Sequence, residues 1–455
     1  MQKLKSALHT QKLRTFLENM LTALYKNKFA RSVAIVASGT AGAQVITTAF
    51  SPLITRMYGP EAFGILGAYT AFVAVLTPLA ALTYPVAIVL PREDRDALGI
   101  AKLSLFLAAL LALLSFFTLW LGGEFFVNLL KLQSLKSFIL LLPLAMLFSA
   151  CLQVVQQWCL RKRQFKITAK SAVIHALVVN GAKLGIGYFI PSAAVLILIA
   201  LFGSAFHVAV LIFGALKSMA SEKLKVAHSK TPLVKIAKCY SEFPLYRAPE
   251  AFLSAVTRGL PLIMLAAFFE PAIAGYFALA SSVLKMPSFL MGKSVGDVFY
   301  PKIVETQHNG RPLTSLYVKA VSALGILGIV PYGAVIAFGP FLFGIIFGAE
   351  WVVAGVFARW VSIWMLVLIC TEPAMRLMPV LGKQRFYFVY RVVTTAFSAA
   401  FLVASIKLFN DPVITVLSYA LIRLVMSVFL LTYVLRLVKH HDEKLVYLNP
   451  IKEFL

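Results

Sequence analysis

Stretches of about 20 predominantly apolar residues recur along almost the whole chain, and no other feature restricts its folding so strongly. A segment of that length crosses the hydrocarbon core of a bilayer as an α-helix, because only there are all its backbone N–H and C=O groups satisfied within the segment. Such windows fall at 32–55, 64–90, 97–121, 137–160, 168–190, 193–216, 249–269, 273–299, 313–338, 352–381, 386–409 and 412–435. Of the 455 residues only 13% are charged and 60% are hydrophobic, whereas soluble domains carry roughly a quarter charged residues. The mean hydropathy is +0.86. The fold class expected is therefore an all-α polytopic membrane protein with twelve transmembrane helices. The ninth is the least regular, because Pro331, Gly339 and Pro340 break it before the apolar stretch 341–348.

A net charge of +25 invites a nucleic-acid partner. The basic residues, however, lie in short connections between the windows and form no separate basic domain, so no nucleic acid is expected. Topology accounts for most of them, since Lys and Arg in short loops resist translocation during insertion. One alternating set of segments (1–31, 91–96, 161–170, 217–247, 300–312, 382–385 and 436–455) holds 29 Lys and Arg, and the other holds only Arg56, Lys131, Lys136 and Lys407. Both termini are then cytoplasmic. Residues 1–31 carry seven basic residues without an unbroken apolar core, which argues against a cleavable signal. Leu4, Leu8, Leu13, Phe16, Leu17, Met20, Leu21 and Leu24 recur there at helical spacing, as in a helix lying in the headgroup layer; a solvated leader is the alternative. Cys151, Cys159, Cys239 and Cys370 form no CxxC pair and have no His at zinc spacing, so neither a redox couple nor a metal site is indicated.

The two halves share landmarks. Pro52-Leu-Ile, Pro60, Gly64 and Pro91 are echoed by Pro261-Leu-Ile, Pro271, Gly275 and Pro301, at offsets of 209, 211, 211 and 210. Spans one and two thus match seven and eight. Six spans separate the copies, so the repeat is parallel, and two six-helix lobes related by a pseudo-twofold axis along the membrane normal form a transporter architecture with its path between the lobes. The domains expected are a basic N-terminal amphipathic segment (1–31), a first lobe (32–216), a cytoplasmic linker (217–248), a second lobe (249–438) and a cytoplasmic tail (439–455).

The stretch RMYGPEAFGILGAYTAFVAVLTPLAALTYPVAIVLPREDRDA, beginning at Arg56, resembles the first hairpin of Wzx-type oligosaccharide flippases, and FGAEWVVAG, Phe347 to Gly355, is similar to a second stretch common in that family. They are the polysaccharide-transport branch of the superfamily that also holds the multidrug extruders and the lipid II flippases. The resemblance covers most of the chain by topology and is sharp over about 60 residues around these two stretches. It implies a multi-pass protein of the bacterial cytoplasmic membrane that serves surface polysaccharide (O-antigen, capsule or exopolysaccharide) synthesis. The substrate implied is an oligosaccharide linked through pyrophosphate to a polyprenyl lipid, turned from the cytoplasmic to the outer leaflet. Membrane lipids and other polysaccharide-assembly proteins are the further partners it implies.

Cations deep in spans are the candidate site residues, since Lys or Arg at mid-bilayer costs about 2.5 to 3.5 kcal/mol on insertion scales and so faces protein, water or an anion. Lys183, Arg258, Lys285, Arg359 and Arg423 lie well inside their windows, and Arg56 sits at the outer mouth. A cationic slot of low dielectric would recruit a pyrophosphate, with arginine offering a bidentate fork. Four of them have a named plainer alternative. Arg56 also fits an interface anchor, Lys183 a polar contact beside Asn180, and Arg359 and Arg423 pairing within one lobe. Glu250, Asp297 and Glu372 lie near cytoplasmic ends of spans and are candidates for proton or sodium coupling; Glu372 also fits a local pair with Arg376, and Asp297 one with Lys293. No other cofactor is expected. Span one lacks Asp and Glu, unlike the acidic first helix of many multidrug extruders. A multidrug or cation exporter of the same fold is one alternative function. A membrane glycan polymerase or glycosyltransferase is another, but the outer loops are too short and too poor in carboxylates and histidines for such chemistry, and the protein is expected not to be an enzyme.

Overall fold

The structure is a computed structural model that describes residues 28–221 and 232–452. All but the last few residues of the expected amphipathic segment, and the middle of the linker, lie outside them. Among the described residues the regular structure is helical throughout. The first lobe comprises α1 (Lys28–Ala80), α2 (Asp94–Leu129), α3 (Leu142–Arg161), α4 (Phe165–Gly187) and α5 (Ala193–Ser221). A short linker helix, α6 (Leu233–Cys239), precedes the second lobe of α7 (Ala248–Phe268), α8 (Pro271–His308), α9 (Leu313–Phe347), α10 (Val352–Cys370), α11 (Glu372–Val380), α12 (Gln384–Phe409) and α13 (Pro412–Lys452).

Each of the twelve apolar windows is mostly helical. Nine helical stretches among the described residues are long and apolar enough to cross a membrane, and the 43-residue Ser38–Ala80 is one of them, although it holds two windows. The division within it comes at Gly59, whose φ of 65° and ψ of 171° leave the helical region. A side chain rarely adopts such angles, and Pro60 then starts the second arm with its φ already helical. α4 is more polar than its neighbours, because Lys166, Lys170, His175, Asn180 and Lys183 all lie on it.

Two boundaries differ from the sequence reading. The break expected in the ninth window is absent: α9 runs unbroken through Pro331 and Pro340, as prolines permit in membrane helices where neighbouring groups re-satisfy the backbone. The second window ends early, at Ala80, where Leu82 and Thr83 turn left-handed and a 3-10 segment, Tyr84–Val89, follows. This corner is held by the linker, since Thr83 Oγ1 donates to the Phe243 carbonyl (3.1 Å) and Tyr84 OH to that of Ala237 (3.1 Å). Ile236 of α6 is buried in the same cluster as Tyr84 and Trp158. Arg161 and Lys162, at the end of α3, both hold Asp94, and Arg161 also donates to the carbonyls of Ile88 and Pro91. Asp94 is thereby committed to fixing the corner.

The main core runs across the seam between the lobes and is rich in small residues: Ala68, Ala274, Ala280, Ala354 and Ala358 are all fully buried. In a bilayer, helices gain little from hiding apolar surface from equally apolar lipid, so close backbone approach is what holds them. The reverse pattern covers the outside, where Phe106, Leu113, Leu121, Val330 and Phe341 are all exposed, as a lipid-facing surface requires.

Candidate functional site

Four segments build the seam, the two arms of α1 from the first lobe and α7 and α8 from the second. Its two ends differ sharply. At the end bearing the α1 turn, Gly64 lies against the Pro271 carbonyl and Gly275 lies against the Pro60 carbonyl, so closely that a Cβ on either glycine would collide with that backbone. The contact is reciprocal: the landmarks that recur at an offset of 211 are the residues that meet across the pseudo-twofold axis. Such a self-complementary contact is what twofold symmetry generates.

The same end is pinned by the two stretches that carry the family resemblance. Arg56 donates to the carbonyls of Ile345 (2.7 Å) and Ile346 (3.3 Å), in the last turn of α9. Those carbonyls lack partners within the helix, and a cation there is favoured by the helix dipole. Trp351 Nε1 donates to the Thr55 carbonyl (3.2 Å), and its ring, 1% exposed, meets Phe63 and Tyr276 edge-on. Arg56 is thus engaged with backbone of the opposite lobe at the end that bears the α1 turn.

Toward the other end the lobes part around a cavity of about 500 Å³, lined by Ala74, Thr77 and Pro78 of the first lobe and by Arg247, Glu250, Ala251, Ser254, Ala255 and Arg258 of the second. Two guanidinium groups converge on one buried hydroxyl there: Arg258 reaches Ser254 Oγ at 2.6 Å and Arg391, from α12, reaches it at 2.7 Å. Arg391 also stands 3.7 Å from Glu250. Two like charges sharing one acceptor, with a single carboxylate beside them, leave a local excess of positive charge in the cleft. Lys285, on the adjacent α8, is solvent-accessible and within electrostatic range of Arg258. Among the described residues, neither Arg258 nor Lys285 has a carboxylate within ion-pair distance.

The remaining expected cations are dispersed. Lys183 is not in the cavity wall; its helix is tied to α1 by Tyr58 OH, which donates to the Lys183 carbonyl at 2.7 Å. Asn180 nearby bonds to Thr47 of α1 and to its own helix. Arg359 donates to the Ala337 carbonyl of α9 (3.3 Å), and Arg423 stacks over Trp364 at 4.9 Å, both within the second lobe. Of the carboxylates, Glu250 lines the cavity. Glu372 opens α11 within electrostatic range of Arg376, and the side chain of Asp297 lies outside the described residues. Arg391 and Arg247 are absent from the sequence-derived set. Arg391 sits only five residues into its window, so ranking by depth passed over it, and Arg247 precedes its window altogether. A helical wheel registering Arg258 with Ser254 and Glu250, one and two turns apart, was the available signal. His175 and His207 stack at 4.5 Å within the first lobe, and among the described residues no cluster of His, Cys, Asp and Glu suited to a metal is present.

A two-lobed helical bundle with a charged cleft at its seam defines a membrane transporter fold, and solved structures agree. The chain superposes on lipid II flippase MurJ in an inward closed conformation with a TM-score of 0.69, 12% identity and 93% of each chain covered. An inward-facing multidrug resistance MATE family transporter of the MOP superfamily gives 0.58 at 10% identity, over 90% of this chain and 95% of that one. The eukaryotic MATE transporter AtDTX14 gives 0.53 at 14% identity, over 91% and 96%. No curated protein matches in sequence. The family model described as polysaccharide biosynthesis protein matches residues 53–355, well over half the chain. The chain belongs to that family.

Proposed function

We propose that the protein turns a polyprenyl-pyrophosphate-linked oligosaccharide from the cytoplasmic to the outer leaflet by alternating access at the inter-lobe cleft. The reading supposes a bacterial cytoplasmic membrane with both termini inside, so that the cavity opens to the cytoplasm and the Gly64–Pro271 seam closes the outer side. The observation that carries it is the convergence of Arg258 and Arg391 on Ser254, beside Arg247 and within range of Lys285. A pyrophosphate offers several acceptor oxygens where Ser254 offers one, and charge-assisted bonds to it are roughly twice as strong as neutral ones. Family membership supports a glycan substrate, and the fold supports a two-lobed frame. Glu250, ion-paired to Arg391 and open to the cavity, is the carboxylate best placed to exchange a proton or sodium ion as the pyrophosphate arrives. Glu372 and Asp297 stand as secondary candidates. No catalytic step is assigned.

In cells, Arg258→Ala and Lys285→Ala are expected to abolish surface glycan at normal protein level, with lipid-linked units trapped facing the cytoplasm. Normal surface glycan in both variants overturns the site. Single repeat units capping the outer lipid after gene deletion would indicate a polymerase, and altered dye efflux without a glycan defect would indicate a drug exporter.

A further inference from the structure

A lipid-linked substrate has two incompatible parts. Its charged head needs the cleft, while its hydrocarbon chain has to stay in the bilayer, so a head-binding cavity requires an apolar exit beside it. The inter-lobe cavity has such a neighbour. A second cavity of about 590 Å³ lies between the linker turn, the start of α7 and α12, and is lined by Glu242, Phe243, Leu245, Tyr246, Arg247, Pro249, Glu250 and Phe388. That volume is within the ordinary range for a small-molecule site. The two cavities share Arg247 and Glu250 and are therefore adjacent.

Several features sort the two spaces by chemistry. The first holds Arg258 and is served by Arg391, whereas the walls of the second are mainly aromatic and aliphatic. Leu245, Tyr246 and Phe388 are 64, 74 and 49% exposed, more than an ordinary packed core allows. Arg247 and Glu250 belong to both spaces, while Glu242 lines the second alone, where it disfavours a phosphate and leaves the head to the Arg258 side. Along α12 the exposed apolar residues continue from Phe388 through Val389, Val392, Val393, Phe397 and Phe401, a track along which a chain reaches the lipid-facing surface.

We propose that the groove of Phe243, Leu245, Tyr246, Pro249 and Phe388 seats the isoprenoid chain nearest the pyrophosphate, so that the lipid tail leaves the cleft past the starts of α7 and α12, beyond the Arg391–Ser254 and Thr257–Thr395 bonds that join those helices. The assignment rests on the function proposed above and adds a tail subsite and a lateral exit to it. Arg247 then stands at the junction of head and chain, and the groove contributes affinity in proportion to the apolar surface it covers.

The test uses the full chain in phosphatidylcholine nanodiscs, with empty discs as the blank, and two probes: farnesyl pyrophosphate and inorganic pyrophosphate. Farnesyl pyrophosphate is expected to bind more tightly than inorganic pyrophosphate. Phe388→Ser and Leu245→Ser are expected to weaken farnesyl pyrophosphate by about tenfold, the scale of one lost apolar contact, and to leave inorganic pyrophosphate unchanged. Phe388→Leu is expected to restore most of the loss, and Arg258→Ala to weaken both probes. Equal binding of the two probes, or unchanged farnesyl pyrophosphate binding in both serine variants, overturns the tail site while an Arg258→Ala effect keeps the head site standing; a groove filled by an ordinary phospholipid chain gives this result. Equal weakening of both probes by the serine variants assigns the groove to the head and also overturns it. Failure of both probes to bind, or no effect of Arg258→Ala, removes the proposed function and the tail site with it.

Discussion

The two ends of the inter-lobe seam use the same pair of repeated hairpins for opposite purposes. At the α1 turn, backbone meets backbone through Gly64 and Gly275, and Trp351 fills the remaining space. At the other end, a cavity lies between the lobes and two arginines of the second lobe share one hydroxyl beside it. One end gains by close contact, which in a membrane is the main source of helix adhesion. The other gathers like charges, with Arg258 and Lys285 both exposed and no carboxylate paired to either among the described residues. The symmetric repeat closes where its small residues coincide and opens where its charges do not, because Arg258 and Lys285 have no cationic counterparts at the equivalent depth of spans one and two.

The comparison breaks most readily at the closed end. Trp351→Ala, removing a fully buried ring and its bond to Thr55, is expected to cost about 3–5 kcal/mol, read as a fall in unfolding temperature of the purified protein; Trp351→Phe retains the packing and is expected to lose less. Next come Gly64→Ala and Gly275→Ala, each placing a methyl group against an opposing carbonyl, with a cost near the ~3 kcal/mol upper end for overpacking. Their effects are expected to match, and unequal losses would break the reciprocity of the contact. Both are also expected to raise labelling of Thr77→Cys by an impermeant maleimide added from outside.

At the open end, Arg391→Ala and Arg258→Ala each remove one charge-assisted bond of about 1.5–3 kcal/mol, roughly a ten- to hundred-fold loss of pyrophosphate affinity. Their melting temperatures are expected to stay close to that of the unaltered protein. A large fall in stability would recast these arginines as structural. The smallest effect belongs to Arg56→Ala, about 0.3–1 kcal/mol for a cation at a helix C-terminus. Arg56→Lys is expected to recover part of it, because the contact is to backbone carbonyls and not to a planar anion.

Much of this frame was legible in the sequence. Spans follow from apolar windows because the bilayer leaves the backbone no other choice, and the Pro60–Gly64 and Pro271–Gly275 echoes marked the hairpins that meet. Partners distant in sequence were illegible: nothing in a window shows that Arg56 ends on the carbonyls of Ile345 and Ile346, or that Arg423 lies over Trp364. Depth alone was a poor guide to the cleft. It promoted Arg359, bonded to the Ala337 carbonyl, and Arg423, stacked on Trp364, neither of which lines the cavity, and missed Arg391, whose shallow position puts it opposite Ser254. What decides is which helix faces which, and periodicity reports a face without naming its neighbour.

The central claim, that these arginines pass a phosphate-linked glycan between leaflets, is tested most directly in proteoliposomes loaded with one polyprenyl-pyrophosphate oligosaccharide. The quantity to follow is the fraction of sugar that becomes accessible to an impermeant glycosidase over time. The unaltered protein is expected to expose the inner-leaflet pool, and the Arg258→Ala, Arg391→Ala double variant to be slower by on the order of a hundredfold at equal incorporation. Equal rates in the two preparations, or a rate no greater than that of protein-free vesicles, would contradict it.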